Sequence, residues 1–260
     1  RSTMRAEVLL LLATMVGVSS PARASVPVVR RFASGETARF SNAWWFRTAR
    51  GSVLVDAPYL AGDASALRAE MDAAGALPLG AAILTGPAPE RSWGLGALLA
   101  PATRVWGSRA TATALEADFA GARERRLRGG IPLASMPRGR PRLTNTFTGS
   151  LSLGFEGYTL RLFEAGEPGA PVATVVFVPE TGELFAGGLV WSRIHPVTSG
   201  ADLGAWRRAL ATLRRLAPRI VYPGHGEAGG SALLERMSDY LGTLEEVVRP
   251  LALRSTLSRR

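Results

Sequence analysis

The 260-residue sequence has no cysteine, no lysine and only two histidines, His195 and His225. Without cysteine there are neither disulfides nor thiolate metal sites. Without lysine, arginine alone carries the positive side of a formal net charge of +10. Arginine-only usage beside abundant alanine and glycine reads as the mark of a GC-rich coding sequence, with attraction to anionic ligands as the functional alternative. The charge is read as compositional, and no nucleic-acid partner is expected. Two imidazoles cannot build a histidine-rich metal centre, and that count constrains mechanism most.

What remains suits a turn-rich α/β protein with enough apolar material for a sizeable core: 47% hydrophobic residues and 29 glycines. The amino end reads as a secretory signal peptide over residues 1–24. Arg5 precedes an apolar run from Val8 to Val18, and Ala22, Arg23 and Ala24 supply a small-x-small cleavage site. That run is far short of the roughly 20 residues that span a bilayer, so no stable membrane span is expected. Arg1–Thr3 lie ahead of Met4 and read as an upstream remnant. A single domain is expected over 25–260, exported to the periplasm or the medium.

Short extended segments follow, over Val26–Phe32, Ala38–Thr48 and Val53–Pro58, with a turn at Arg50, Gly51 and Ser52. Asp63 fits the N-cap of a helix carrying Leu67 and Met71. Ala81–Leu84 reads as a buried strand that breaks at Thr85, Gly86 and Pro87. A helix is expected over about Gly94–Leu99. A strand handing over to a helix through a short loop is where α/β proteins place ligand groups. Thr103–Trp106 reads as a strand and Ser108–Arg128 as a long helix. Residues 123–142 hold seven arginines, one acid and interspersed Gly and Pro, and read as a basic linker. Strands are expected at Leu151–Phe155, Tyr158–Phe163, Val172–Val178 and Glu183–Gly187, the last two joined by a turn at Pro179–Gly182. An amphipathic helix carries Leu203, Trp206, Leu210 and Leu213. The strand Arg219–Tyr222 leads into Pro223, Gly224, His225 and Gly226, and a final helix runs through Leu233, Met237, Leu241 and Val248, with a frayed tail after Pro250.

Several of these blocks together resemble the metallo-β-lactamase superfamily. The hairpin Asn42–Pro58 ends in Asp56, where the family has a strand ending in Leu-Ile-Asp. Thr85 opens a loop like the family's Thr-His-x-His-x-Asp-His. Pro179-Glu180 with Leu184-Phe185, and Pro223–Gly226, match two later family blocks. The resemblance covers roughly Asn42–Leu244 and implies an αββα sandwich of the metallo-β-lactamase type, within the α/β class. It also implies a hydrolase in which two metals generate hydroxide and polarise the scissile bond. The ligand positions depart from the pattern: Gly86 and Ala88 replace histidines, Glu90 an aspartate, Arg91 a histidine, Gly188 the bridging aspartate, and Gly169 falls near another histidine. Asp56 matches the aspartate that supports the metal-bearing loops from behind the ligands.

Of the expected ligands only His225 and the altered Glu90 stay, so no metal and no other cofactor is expected. His225 either fixes its turn or contacts a ligand, and His195 reads as structural or exposed. A nucleophilic set of Ser92 or Thr85 with His225 and Glu90 is conceivable, with Glu90 and His225 as the catalytic candidates, but no spacing selects it. Candidate ligand-binding residues are Thr85, Glu90, Arg91, His225 and Asp56. Two readings stay open. One is a catalytically silent homologue whose cleft takes a small anion, met by Arg91, or a protein partner. The other is an active hydrolase of an ester, amide or phosphoester with a non-standard metal site or none.

Overall fold

Aromatic and β-branched residues crowd Asn42–Thr48 (β2) and Gly51–Val55 (β3), which pair as an antiparallel hairpin. Their side chains alternate between two buried environments, so both faces of the sheet are covered. Trp45 and Leu54 join one apolar cluster, while Trp44, Phe46, Val53 and Val55 join another. The structure is a computed structural model that describes residues 28–257 apart from 49–50, 156 and 166–171. The leader-like segment 1–24 and the position Gly169 lie outside the described residues.

Arg30–Ala33 (β1) adds to the hairpin on one side; on the other, Leu79–Ile83 (β4), Arg104–Ser108 (β5) and Asn145–Phe147 (β6) run parallel from β3 outward. A second sheet runs in the order Ile220–His225 (β11), Glu183–Trp191 (β10), Thr174–Val178 (β9), Tyr158–Glu164 (β8) and Ser150–Phe155 (β7). Four helices complete the chain: Ala61–Ala73 (α1), Arg109–Arg128 (α2), Leu203–Arg214 (α3) and Ala232–Leu257 (α4). The first sheet packs Leu67 and Met71 of α1 and Leu115 of α2 on its outer face. The second packs Trp206, Leu210 and Leu213 of α3 with Leu234, Met237 and Leu241 of α4 on its own. Between the sheets lie Trp44, Phe46, Ile83, Leu162, Val176, Phe185 and Tyr222. The layers are therefore helix, sheet, sheet, helix, the expected αββα sandwich.

Some local expectations change. Asp63 sits inside the first turn of α1, where its charge suits the helix dipole, and Leu60 holds the N-cap position. The helix expected near Gly94–Leu99 is a pair of 3-10 turns, Pro89–Arg91 and Trp93–Ala97. Gly94 is the reason: its Cα approaches the Pro58 carbonyl and Ala64 so closely that a Cβ would lie 2.5 Å from that oxygen. The long helix expected over Ser108–Arg128 is α2, which takes in Arg123–Arg128 from the start of the basic segment and is capped by Ser108 accepting from the Thr111 N–H. The chain also stays helical past Pro250, to Leu257, where a frayed tail was expected.

β3 and β4 are parallel, as are β10 and β11, so their carboxyl ends gather on one edge of the sandwich. Asp56, Thr85, Gly188 and His225 all stand there.

Candidate functional site

Asp56 closes β3 in the left-handed region, at φ 62°, and its carboxylate is buried. Oδ1 accepts from the Thr85 N–H at 2.8 Å and Oδ2 from the Thr85 hydroxyl at 2.7 Å. The Thr85 hydroxyl accepts in turn from Nη1 of Arg91 at 2.6 Å, and the same nitrogen lies 3.6 Å from Asp56 Oδ2. Arginine, threonine and aspartate thus form one relay of donors and acceptors, with the arginine side chain only 8% exposed. Burial pushes the Asp56 carboxyl up from the ordinary carboxylate range, while the Arg91 charge and the Thr85 hydrogen bonds hold it down. Both Thr85 donors point at the carboxylate, the arrangement an ionised partner of Arg91 requires.

The space for the guanidinium comes from glycines. A Cβ at Gly188 would stand 2.9 Å from Arg91 Cζ, and one at Gly86 would meet the Val172 carbonyl at 2.9 Å and Arg91 Nη2 at 3.6 Å. At two positions where the resembling family has metal ligands this chain has glycine, and Arg91 lies in the space beside them. The Arg91 carbonyl is pinned by the Ala57 N–H at 2.9 Å, so the side chain enters from a fixed backbone. The acid that pairs with this arginine is the buried Asp56.

His225 is fully buried at the end of β11. Its Nδ1 lies 2.9 Å from the Arg39 carbonyl, which can only accept, so Nδ1 carries the proton and Nε2 a lone pair. Nε2 is buried without a hydrogen-bond partner, as is Nε of Arg91. Burial, then the nearby Arg91 charge, pushes the imidazole down to about 3, so it is neutral near pH 7. Trp191, which sequence reading passed over, stacks on it with ring centroids 3.4 Å apart and planes 5° from parallel. The signal for Trp191 was available: it follows directly on the Gly188-Leu189-Val190 block.

Glu90 is drawn away from this centre. Its Oε2 lies 3.4 Å from Arg126 Nη2, whose guanidinium also sits 5.5 Å over the Tyr59 ring. Ser92 Oγ donates to the Ala88 carbonyl at 2.9 Å. Ser92, Thr85, His225 and Glu90 therefore each have other hydrogen-bond partners and form no nucleophilic relay. His195 is exposed and its Nδ1 bonds the Tyr240 hydroxyl.

The residues do not fit a divalent cation of the family's kind. Such an ion needs several anionic or lone-pair donors at about 2.0–2.2 Å. Here the neighbouring positions offer glycine hydrogens, one imidazole and a permanent cation, and among the described residues no group of three or more His, Asp or Glu gathers. Above the relay opens a cleft of about 310 Å³ whose walls are mostly apolar, including Pro87, Trp93, Ala114, Phe119 and Val172, with Arg91 among the lining residues. Arg125 and Arg126 line the adjoining cavity, so the basic stretch at the end of α2 borders this mouth.

The family model described as the metallo-beta-lactamase superfamily matches residues 37–225. A curated relative, the type 2 metallo-beta-lactamase of Bacteroides fragilis, is 32% identical over 105 residues. That stretch is 38% of this chain and 41% of the relative, so the match spans about two fifths of the relative's length. Among solved structures, a metallo-beta-lactamase from Pontibacter korlensis superposes with a TM-score of 0.62 at 23% identity, over 78% of this chain and 87% of that one. The metallo-beta-lactamase DIM-1 superposes with a TM-score of 0.62 at 22% identity, over 85% of this chain and all of that one.

Proposed function

Since the chain belongs to the metallo-beta-lactamase superfamily, we propose that it is a member of this hydrolase family in which a guanidinium has replaced the metals. In this reading it is an exported, catalytically silent protein that binds a small anion with an apolar body. The observation that carries the reading is Arg91, buried against Gly188 and bonded to Thr85 and Asp56. Hydrolysis by the family's route needs a metal-generated hydroxide. A neutral imidazole whose pKa is about 3 is a weak base for activating water without one. What the cleft does offer is donors: Arg91 lines it, and among the described residues only Nη1 of its guanidinium is hydrogen-bonded. A cavity of about 310 Å³ is at the lower end for drug-sized ligands and suits a compact aryl carboxylate or phosphate.

Calorimetry with benzoate and phenyl phosphate tests the cleft, on the wild type, on Arg91→Lys, which keeps the charge but loses the planar fork, and on Ala114→Trp, which fills the cleft. Saturable binding should weaken by about 1.5–3 kcal/mol in Arg91→Lys, the range for hydrogen bonds to charged groups, and vanish in Ala114→Trp. Equal binding to all three proteins, or none to any, removes the ligand reading. Elemental analysis of chelator-free protein should find no stoichiometric zinc. Bound zinc with turnover of a chromogenic cephalosporin would restore the hydrolase reading.

Export rests on the sequence of residues 1–24. Intact-mass measurement of protein recovered from the periplasm or medium should find the chain starting at Ser25; a product retaining Met4 would sink this part.

A further inference from the structure

A second cavity, of about 570 Å³, lies between the loop that follows β10 and helix α4. Arg193 and His195 line it from the loop, Arg236, Met237 and Tyr240 from the helix, and Trp191 forms part of the wall. Among the described residues no aspartate or glutamate lines it.

Some exposed arginines are matched to acids, as in Arg125–Asp118, Arg128–Glu124 and Arg214–Glu235. Arg193 and Arg236 make no ion pair among the described residues. Two like charges opening on one concave space repel each other, and an anion between them relieves that repulsion. The cavity walls are also held in place. His195 Nδ1 and the Tyr240 hydroxyl bond at 2.9 Å, joining loop to helix, and Trp191 Nε1 donates to the Gly188 carbonyl at 2.9 Å. Arg193 is itself in the left-handed region, at φ 60°, a conformation a bulky L-residue rarely adopts without a compensating constraint.

We propose that this cavity binds an organic carboxylate with an aromatic or aliphatic body. The carboxylate is met by Arg193 and Arg236, and the body lies against Trp191 and Met237. Guanidinium forks match carboxylate oxygens, and the volume falls in the range of small-molecule sites. The site stands apart from the Arg91 cleft and does not depend on the reading given for it.

The test is calorimetric titration of the full chain with 1-naphthoate, with neutral 1-naphthalenemethanol and with inorganic phosphate. Arg236→Glu is on the exposed side of α4, and Arg193→Asn keeps a residue that tolerates the left-handed conformation. 1-Naphthoate should bind saturably, and each variant should weaken it at least about tenfold, as expected when a charged hydrogen-bond partner is lost. The neutral alcohol should bind at least about tenfold more weakly than the acid, by the same loss. Ala114→Trp should leave naphthoate binding unchanged. Wild-type affinity in both arginine variants, loss of binding in Ala114→Trp, or no saturable naphthoate binding would overturn the proposal. Phosphate binding tighter than naphthoate would overturn the part given to the apolar body.

Discussion

Removing the guanidinium of Arg91 while keeping Asp56 would leave a carboxylate, 2% exposed, with no countercharge. Breaking a buried ion pair from one side costs about 3–5 kcal/mol, because the remaining charge stays desolvated. An exposed pair on the rim would contribute only about 0–1 kcal/mol. The two cases separate cleanly in urea denaturation. Arg91→Met should lose about 3–5 kcal/mol, and Arg91→Met with Asp56→Asn should recover most of it, since Asn still accepts from Thr85. A loss below about 1 kcal/mol for Arg91→Met would mean that the pair acts as a rim contact. The pairing could not be read along the chain. It joins residues on two loops and depends on the room left at Gly86 and Gly188, and a glycine in a sequence does not tell what fills the space beside it.

Elements were legible where their pattern was strong. The hairpin β2–β3, the buried strands β9 and β10 and the amphipathic helix α3 are each written in residues whose period matches their burial. Their ends were less so. The 3-10 turns after the Thr85 loop replace the expected helix because of a contact between Gly94 and Pro58, which only the folded chain brings together. β6 has three residues and a largely polar sequence, Asn145–Phe147, and gives no periodic signal of its own. The site followed the same rule. His225 and Asp56 could be placed from short motifs, because each ends a recognisable strand. Trp191 could not be assigned a role, since its stack on His225 crosses from β10 to β11.

At the scale of the whole molecule, His225 joins the two halves of the sandwich: it ends β11 in the second sheet and its Nδ1–H bonds the Arg39 carbonyl, in the turn leading into β2 of the first. Its pKa is about 3 in the folded chain and about 6.5 when unfolded. The unfolded chain therefore binds the extra proton between those values. The histidine's contribution to stability is complete above about pH 6.5 and is lost as pH falls toward 3, by up to about 1.4 kcal/mol per unit. Asp56, shifted upward, acts with the opposite sign in the acid range, so its effect must be subtracted. Thermal unfolding from pH 7.5 to 4.5 should show a steeper acid loss in the wild type than in His225→Gln; parallel curves would refute the assignment. The packing of Arg91 against glycine has a further consequence, for the order in which this site can change. An aspartate entering at Gly188 meets the guanidinium, and a histidine put in place of Arg91 strands Asp56. Either substitution alone gives a less stable protein, so a carboxylate at Gly188 or an imidazole in place of Arg91 is tolerated only with a compensating second change, and the packing works as a latch on the composition of the site.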